Sequence, residues 1–414
     1  LPVEPTSDGP PDGLTLDMAI DRLVRGNLDL IATHFEIPQA QADILTAGLR
    51  ANPLLYADAQ LVPYGEYSAA RPGGQTQYDV NISWPIDISR KYRARTAYAT
   101  RFKNVLEAQF QDAVRLAIDN LYTAYVDVLA ARETVAFTVA SLKGYDELIR
   151  GTQEMILGAD KTSADFYKLR GQRELTRVSL VDAEATLRRA KRTLGALLAI
   201  PPEQAERIEL RGSLRDATGL VPDRDGLVRL ALEARPDLAA NRVGIGLAQA
   251  NVRLQKANRY SDIYLLYQPY TFQNNAPLGL KSPTSWALGL TVPLPIVNRN
   301  QGNIRRAELN VTQTKVERDS MTLRVATEVR QAIQEYELTS LAVRDVARGV
   351  IPDVKRAYES IKLQHAVRED VDILMVLTAR QEYNDAVRRY RDFQVRHRRA
   401  MLSLNTAVGR RVLP

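Results

Sequence analysis

Apolar positions between Ile86 and Ile200 recur at alternating steps of four and three, in a stretch that contains no proline. Val114, Ile118, Leu121, Tyr125, Val128, Arg132, Val135, Val139 and Leu142 keep the step, and Arg132 is the one polar member. Leu180, Ala183, Leu187, Ala190, Leu194 and Leu197 resume it. An apolar repeat of about 3.5 residues predicts helices packed side by side as a coiled coil. At a rise of 1.5 Å per residue, residues 88–150 alone would make a rod of about 95 Å. The spacing lapses at Gly158–Ser163, which predicts a reversal, and Pro201-Pro202 ends the return helix.

A different period precedes the rod. After a helix that starts near Thr15–Asp17, is kinked or restarted at Pro38 and ends at Asn52-Pro53, the sequence changes to a step of two. Tyr78, Val80, Ile82 and Trp84 alternate with Asp79, Asn81 and Ser83, which predicts a two-faced strand ending at Pro85. Leu54–Tyr67 is a less regular strand that contains Pro63, and Ala70–Gly74 is the turn between the two. The whole pattern then repeats. With a shift of 208, Leu30 meets Leu238, Leu55-Tyr56 meets Ile263-Tyr264, Pro85 meets Pro293 and Leu194 meets Leu402. Asp165 meets Asp372 with a slip of one residue. Trp286, Leu288, Leu290 and Val292 alternate with Ala287, Gly289 and Thr291 in the second copy. The expected plan has an extended lead-in (1–13), then a first repeat (14–202) with strands at about 54–87 and a helical hairpin at about 88–200. An equatorial linker (203–225) leads to a second repeat (226–414), with strands at about 261–294 and a hairpin at about 298–408. Pro352 is expected to interrupt the long helix of the second hairpin.

Composition narrows the function. Of 414 residues, 45% are hydrophobic and 25% charged, enough to fold around a core. The excess of 56 basic over 49 acidic residues, +7, is too small to mark a nucleic-acid binder. There is no cysteine, which removes disulfides, thiolate metal sites and a cysteine nucleophile. His34, His365 and His397 fall on three separate segments, so no metal is assigned to them. No apolar run approaches the roughly 18 residues of a membrane-spanning helix. The sequence starts at Leu1 without an apolar leader, so an export signal is removed or absent. No phosphate-binding loop, catalytic triad or carboxylate pair stands out, and no enzyme activity or cofactor is expected.

Four short strands, the two most regular of them with one wholly apolar face, cannot form a stable open sheet in water. An antiparallel barrel that turns its apolar face to lipid satisfies this alternation. Every strand edge in lipid must be paired, so the barrel would be shared among several chains. The competing expectation is a soluble coiled-coil scaffold with two β-hairpin inserts. The duplication weighs against it, because both strand pairs hold the same place relative to their rods.

The order helix, strand pair, long helical hairpin, given twice, resembles the outer-membrane efflux proteins of the TolC type. Asn52-Pro53 opens the first strand pair and Trp84–Arg95 (WPIDISRKYRAR) joins strand to rod. The counterpart PLPIVNRNQGNIRRAE (residues 293–308) is similar to the heavy-metal-efflux branch of that family. The resemblance covers most of residues 14–410. It implies a mainly helical chain with a membrane β-barrel: a homotrimer with a shared 12-stranded barrel in the outer membrane and a helical tunnel in the periplasm. The function implied is a passive exit duct for small molecules or metal cations. It would open by iris-like movement of the helical tips when a periplasmic adaptor docks, with energy from an inner-membrane pump. A duct for type I protein secretion is the alternative inside the same class.

The family carries acidic residues at the tips. Here Asp160 and Asp165 lie at the first reversal and Asp370 and Asp372 at the second. Repeated around a trimer, such acids make a negative ring that attracts cations. Arg368 stands where the family has a closing arginine. His365-Ala366 replaces the usual glycine, and Met375 stands where some members carry a second acid. Trp84, Trp286, Tyr56, Tyr78 and Tyr264 are the candidates for aromatic girdles at the lipid interface. Arg388, Arg389, Arg391, Arg396, Arg398 and Arg399 are scattered around a helix and read as a solvated or ion-paired face, with no nucleic-acid partner.

Overall fold

A computed structural model describes residues 8–61, 76–157, 163–214, 223–274, 276, 279–367 and 373–413. The first repeat runs α1 (Leu16–Gly26), α2 (Leu28–His34), α3 (Glu36–Gly48), β1 (Leu54–Leu61), β2 (Thr76–Ile86), α4 (Lys91–Leu157) and α5 (Ser163–Leu197). A short α6 (Pro202–Ala205) opens the linker. The second repeat runs α7 (Arg224–Ala234), α8 (Pro236–Ala257), β3 (Ile263–Gln273), β4 (Thr284–Thr291), α9 (Gln301–Asp345), α10 (Ile351–Val367) and α11 (Ile373–Val408). Among the described residues no helix is long and apolar enough to cross a membrane.

Local chemistry sets several of these boundaries. Thr15 caps α1, its hydroxyl accepting from the Met18 N–H. Asn27 separates α1 from α2: its carboxamide accepts from the Leu30 N–H and donates to the Leu197 carbonyl at 2.9 Å. Arg235 does the corresponding work in the second repeat, donating to the Ala407 carbonyl before Pro236 opens α8. The first helix is restarted at Glu36, two residues before Pro38, which occupies the first turn of α3 where it costs no hydrogen bond. Pro352 does not break the second long helix. A single π turn at Val346–Val350 lies just before it, and helical winding resumes at Ile351. A proline ring collides with the carbonyl four residues earlier, and the widened turn relieves that collision.

The chain divides into two units. The first holds Leu1–His34, Ala108–Ala239 and Ser320–Pro414. Its principal core takes Leu121, Tyr125 and Val128 from the predicted heptad series, with Leu194, Leu198, Leu210 and Leu402. A second core gathers Leu227, Val325, Val329, Tyr336, Met401 and Leu404. Arg132, the polar exception, donates to the carbonyls of Leu210 (2.8 Å) and Gly212 (2.6 Å), while the Tyr125 hydroxyl reaches the Leu14 and Arg211 carbonyls. The strand-like segment around 210 is thereby fixed, and Leu14 forms a parallel bridge with Leu210. Beyond Arg132 the buried positions on α4 become Phe137, Ser141 and Tyr145 rather than a strict continuation through Val139 and Leu142. A helix of 3.6 residues per turn drifts against a seven-residue repeat, and here the drift is taken up by steps of four.

The second unit holds Phe35–Glu107 and Ala240–Asp319. Its four strands form one antiparallel sheet in the order β1-β2-β3-β4. The two strand pairs are thus not separate hairpins, because β2 of the first repeat pairs with β3 of the second along Ile86↔Ile263 to Gln77↔Gln273. Register shifts between Val80 and Ile82 and between Gln268 and Thr271 mark bulges near Pro269, which has no N–H for a ladder.

Candidate functional site

The sheet has two chemically opposite faces. Pairs Ile82↔Leu55, Ile82↔Tyr267, Trp84↔Leu265 and Tyr267↔Leu288 place large apolar side chains on one face, where Trp84 is 53% exposed and Trp286 70%. A face this apolar left open is a surface for lipid or another chain. The other face is polar. Asp58 stands directly opposite Asp79, whose carboxylate accepts from Gln77 Nε2 at 2.8 Å and Gln268 Nε2 at 2.9 Å. Gln268 also donates to the Thr271 hydroxyl.

Register divides the five aromatic candidates. Tyr78, Trp84 and Trp286 lie on the apolar face. Tyr56 is opposite Asn81, and Tyr264 is opposite Pro85 and Thr291, so both occupy the polar face. The cause is the period of two. Leu55 and Ile263 take the outward positions, and the tyrosine that follows each is turned to the other side. Along β2, Tyr78 and Trp84 are six residues apart, a separation of about 20 Å.

Where strand meets rod, Asp87 caps the start of α4, accepting from the Ser89 and Tyr92 N–H groups at 3.1 and 3.0 Å. Burial pushes its pKa up, but the backbone hydrogen bonds from Lys91 and Tyr92 outweigh this and hold it below the ordinary value. Lys91 pairs with Asp262 at 2.8 Å.

In the other unit, a small core of Tyr145, Leu169, Ile373, Val376 and Leu377 joins α4, α5 and α11. Tyr358 and Tyr383 stack beside it at 6.0 Å, and Arg173 ties α5 to α4 through Asp146 at 2.7 Å. Of the candidate gate residues, Asp160, Arg368, Asp370 and Asp372 lie outside the described residues, and Asp165 belongs to α5 with its side chain outside them.

One residue near the reversals escaped sequence reasoning. Arg380 of α11 is only 3% exposed. It donates to the Gly144 and Ser141 carbonyls of α4 at 2.8 and 2.7 Å and lies 4.0 Å from the Tyr145 ring centroid. Burial holds its pKa below the ordinary arginine value. Its signal was its place in line with Ile373, Val376, Leu377 and Tyr383, where an apolar residue belongs. Arg391 follows the same design, donating to the Glu133 carbonyl above Phe137, so it is half-buried against α4 rather than part of a fully solvated face. Its neighbours Arg396 and Arg399 do pair with acids, Glu335 and Asp127.

A two-faced antiparallel sheet in a chain with two copies of a long helical pair is the architecture of an outer-membrane channel. The family model for outer membrane efflux proteins matches residues 19–199 and 227–410, and the chain belongs to that family as an outer-membrane efflux channel. It is similar to the cobalt-zinc-cadmium resistance protein CzcC of Cupriavidus metallidurans, at 26% identity over 368 residues, covering 87% of this chain and 81% of the relative. The probable outer membrane lipoprotein SilC of Salmonella typhimurium is 22% identical over 362 residues, covering 84% and 75%. The solved structure of CusC shares the fold, with a TM-score of 0.75 at 17% identity over 98% of both chains.

Proposed function

We propose that three copies of this chain close a 12-stranded barrel, four strands from each, and conduct metal cations or small molecules outward without catalysis of their own. The observation that carries this reading is the sheet, with an exposed aromatic and aliphatic face, a polar face and, among the described residues, two unpaired edges at β1 and β4. Strands of 11 residues, as in β2 and β3, suffice to cross a bilayer when tilted. Trp84 at one level and Tyr78 with Trp286 at the other supply the two aromatic girdles. The polar face, with Asp58 and Asp79, lines the lumen. Resemblance to a cobalt-zinc-cadmium resistance protein supports divalent cations as cargo.

The helix reversals form the gate in this proposal. Asp160, Asp165, Asp370 and Asp372 supply negative charge at the aperture, and Arg368 holds neighbouring helices closed until a periplasmic adaptor, coupled to an inner-membrane pump, draws them apart. The test is single-channel recording of the detergent-purified protein in a planar bilayer, with its mass taken from the same sample. A trimer with small, cation-selective currents that grow in Arg368→Gln is the expected result. A soluble monomer without currents returns the chain to the scaffold reading. An unchanged closed-state conductance in Arg368→Gln removes the lock.

A further inference from the structure

A cavity of about 500 Å³ opens at the end of the sheet next to α4, and neither conduction nor gating uses it. Four cations line it, Arg50, Arg90, Lys91 and Arg95, against two carboxylates, Asp87 and Asp262, which leaves a net charge of +2. The carboxylates are committed elsewhere: Asp87 caps α4, and Asp262 faces Lys91. Arg95 reaches the Leu49 carbonyl. Arg50 lies over the Tyr92 ring, 5.9 Å from its centroid. Among the described residues, neither Arg50 nor Arg90 has a carboxylate at ion-pair distance.

The second repeat shows that the fold does not require three of these cations. At the shift of 208, Asn258 stands where the first repeat has Arg50. The second long helix starts two residues later than that shift gives, and aligned on the helix starts Asn300 stands for Arg90, Gln301 for Lys91 and Arg305 for Arg95. Arg90 and Asn300 both take left-handed backbone, at φ 59° and 57°, immediately before a long helix. Asparagine tolerates that conformation, and Asn300 ties its carboxamide to the Gln255 carbonyl at 2.8 Å. Arginine there costs about 1 kcal/mol and makes no such tie. A strained cation kept without a carboxylate partner among the described residues points to an external one.

Trp84 and Ile86 line the same cavity, and both side chains are exposed on the apolar face of the sheet. Cations and an indole thus meet where an apolar face ends. We propose that this cavity binds the phosphate headgroup of an anionic phospholipid, with the acyl chains lying along Trp84 and Ile86. Guanidinium groups match phosphate oxygens in pairs, and the indole marks the depth of the headgroup. This rests on the reading of the sheet as a membrane barrel, and it predicts one lipid per chain, at the first repeat only.

The test is native mass spectrometry of the full-length protein from detergent. Phosphatidylglycerol, phosphatidylcholine of the same chain length and inorganic phosphate are added separately and together. The wild type is expected to retain phosphatidylglycerol about tenfold better than phosphatidylcholine, with little displacement by an equal concentration of phosphate. Arg50→Asn with Arg90→Asn, which copies the second repeat, is expected to abolish the preference. Equal retention of both lipids, or an unchanged preference in the double variant, overturns the site. Displacement by equimolar phosphate overturns the lipid as its source. A conducting trimer without lipid preference would remove this site alone, whereas a protein that neither trimerises nor conducts would remove the barrel reading on which it rests.

Discussion

Arg380 makes an unusual demand of its neighbours, and replacing it distinguishes charge from shape. Its two bonds to carbonyls are worth about 1.5–3 kcal/mol each, and its stacking on Tyr145 about 2 kcal/mol. Against them stands the burial of a guanidinium without a carboxylate at ion-pair distance among the described residues, a penalty of several kcal/mol. The Ser141 and Gly144 carbonyls lie inside α4, where helical bonds also use them, so removing the arginine orphans neither. Arg380→Met, of similar volume, discards gains and penalty together and is expected to change stability by no more than about 1 kcal/mol. Arg380→Lys keeps the buried charge but loses the fork and the planar stacking, and is expected to cost about 3 kcal/mol. That is roughly a hundredfold in the unfolding equilibrium. The assay is loss of helical circular dichroism on heating in detergent, with all three proteins at one concentration. The order wild type, Met, Lys is expected. A lysine variant as stable as the wild type, with methionine the weaker, would refute the reasoning.

Three further outcomes follow from the same coordinates. Leu288→Arg, on the apolar face, should cost about 2–4 kcal/mol and cut the yield of membrane-inserted protein, while Ala287→Arg on the polar face should insert normally; equal yields would void the assignment of faces. At Gly195 a Cβ would meet the Ala205 Cβ within van der Waals contact, so Gly195→Ala should destabilise by about 1–3 kcal/mol, whereas the open Gly171→Ala should be neutral or stabilising by about 0.5–1 kcal/mol, both read from thermal melts. Asp237 is driven up by burial but held below its ordinary 3.8 by the hydrogen bond and charge of Arg235. A depressed carboxylate stabilises above its unfolded pKa and loses that contribution as pH falls through the folded one. Asp237→Asn should therefore cost about 3 kcal/mol at pH 7, and the gap to wild type should close below pH 4 in denaturant titrations; a gap that widens in acid would reverse the sign.

Much of the architecture was legible because two periods alternate cleanly. The heptad run through Leu121, Tyr125 and Val128 does enter the core, and Trp84 and Trp286 do share a face. Arg132 broke the heptad for a reason the sequence could not display: its partners are backbone carbonyls, which carry no residue identity. Arg380 and Arg391 were hidden in the same way. The face of Tyr56 could not be read because Leu54-Leu55-Tyr56 does not alternate, so its own residues leave the face of β1 open until pairing with β2 sets it. Pro352 was recognised as a disturbance, but the turn that absorbs it lies upstream at Val346–Val350, where no residue type announces a π turn.

The unpaired edges at β1 and β4 have a genetic consequence. In the proposed three-chain barrel, bare N–H and carbonyl groups cannot rest in lipid, so a single chain has no stable inserted state, and insertion and ring closure become one event. A chain with a damaged edge therefore does more than fail by itself: it spoils every ring that admits it. With wild-type and edge-defective copies made in equal amounts, a ring of three would be wholly intact about one time in eight, and a single faulty allele would act dominantly.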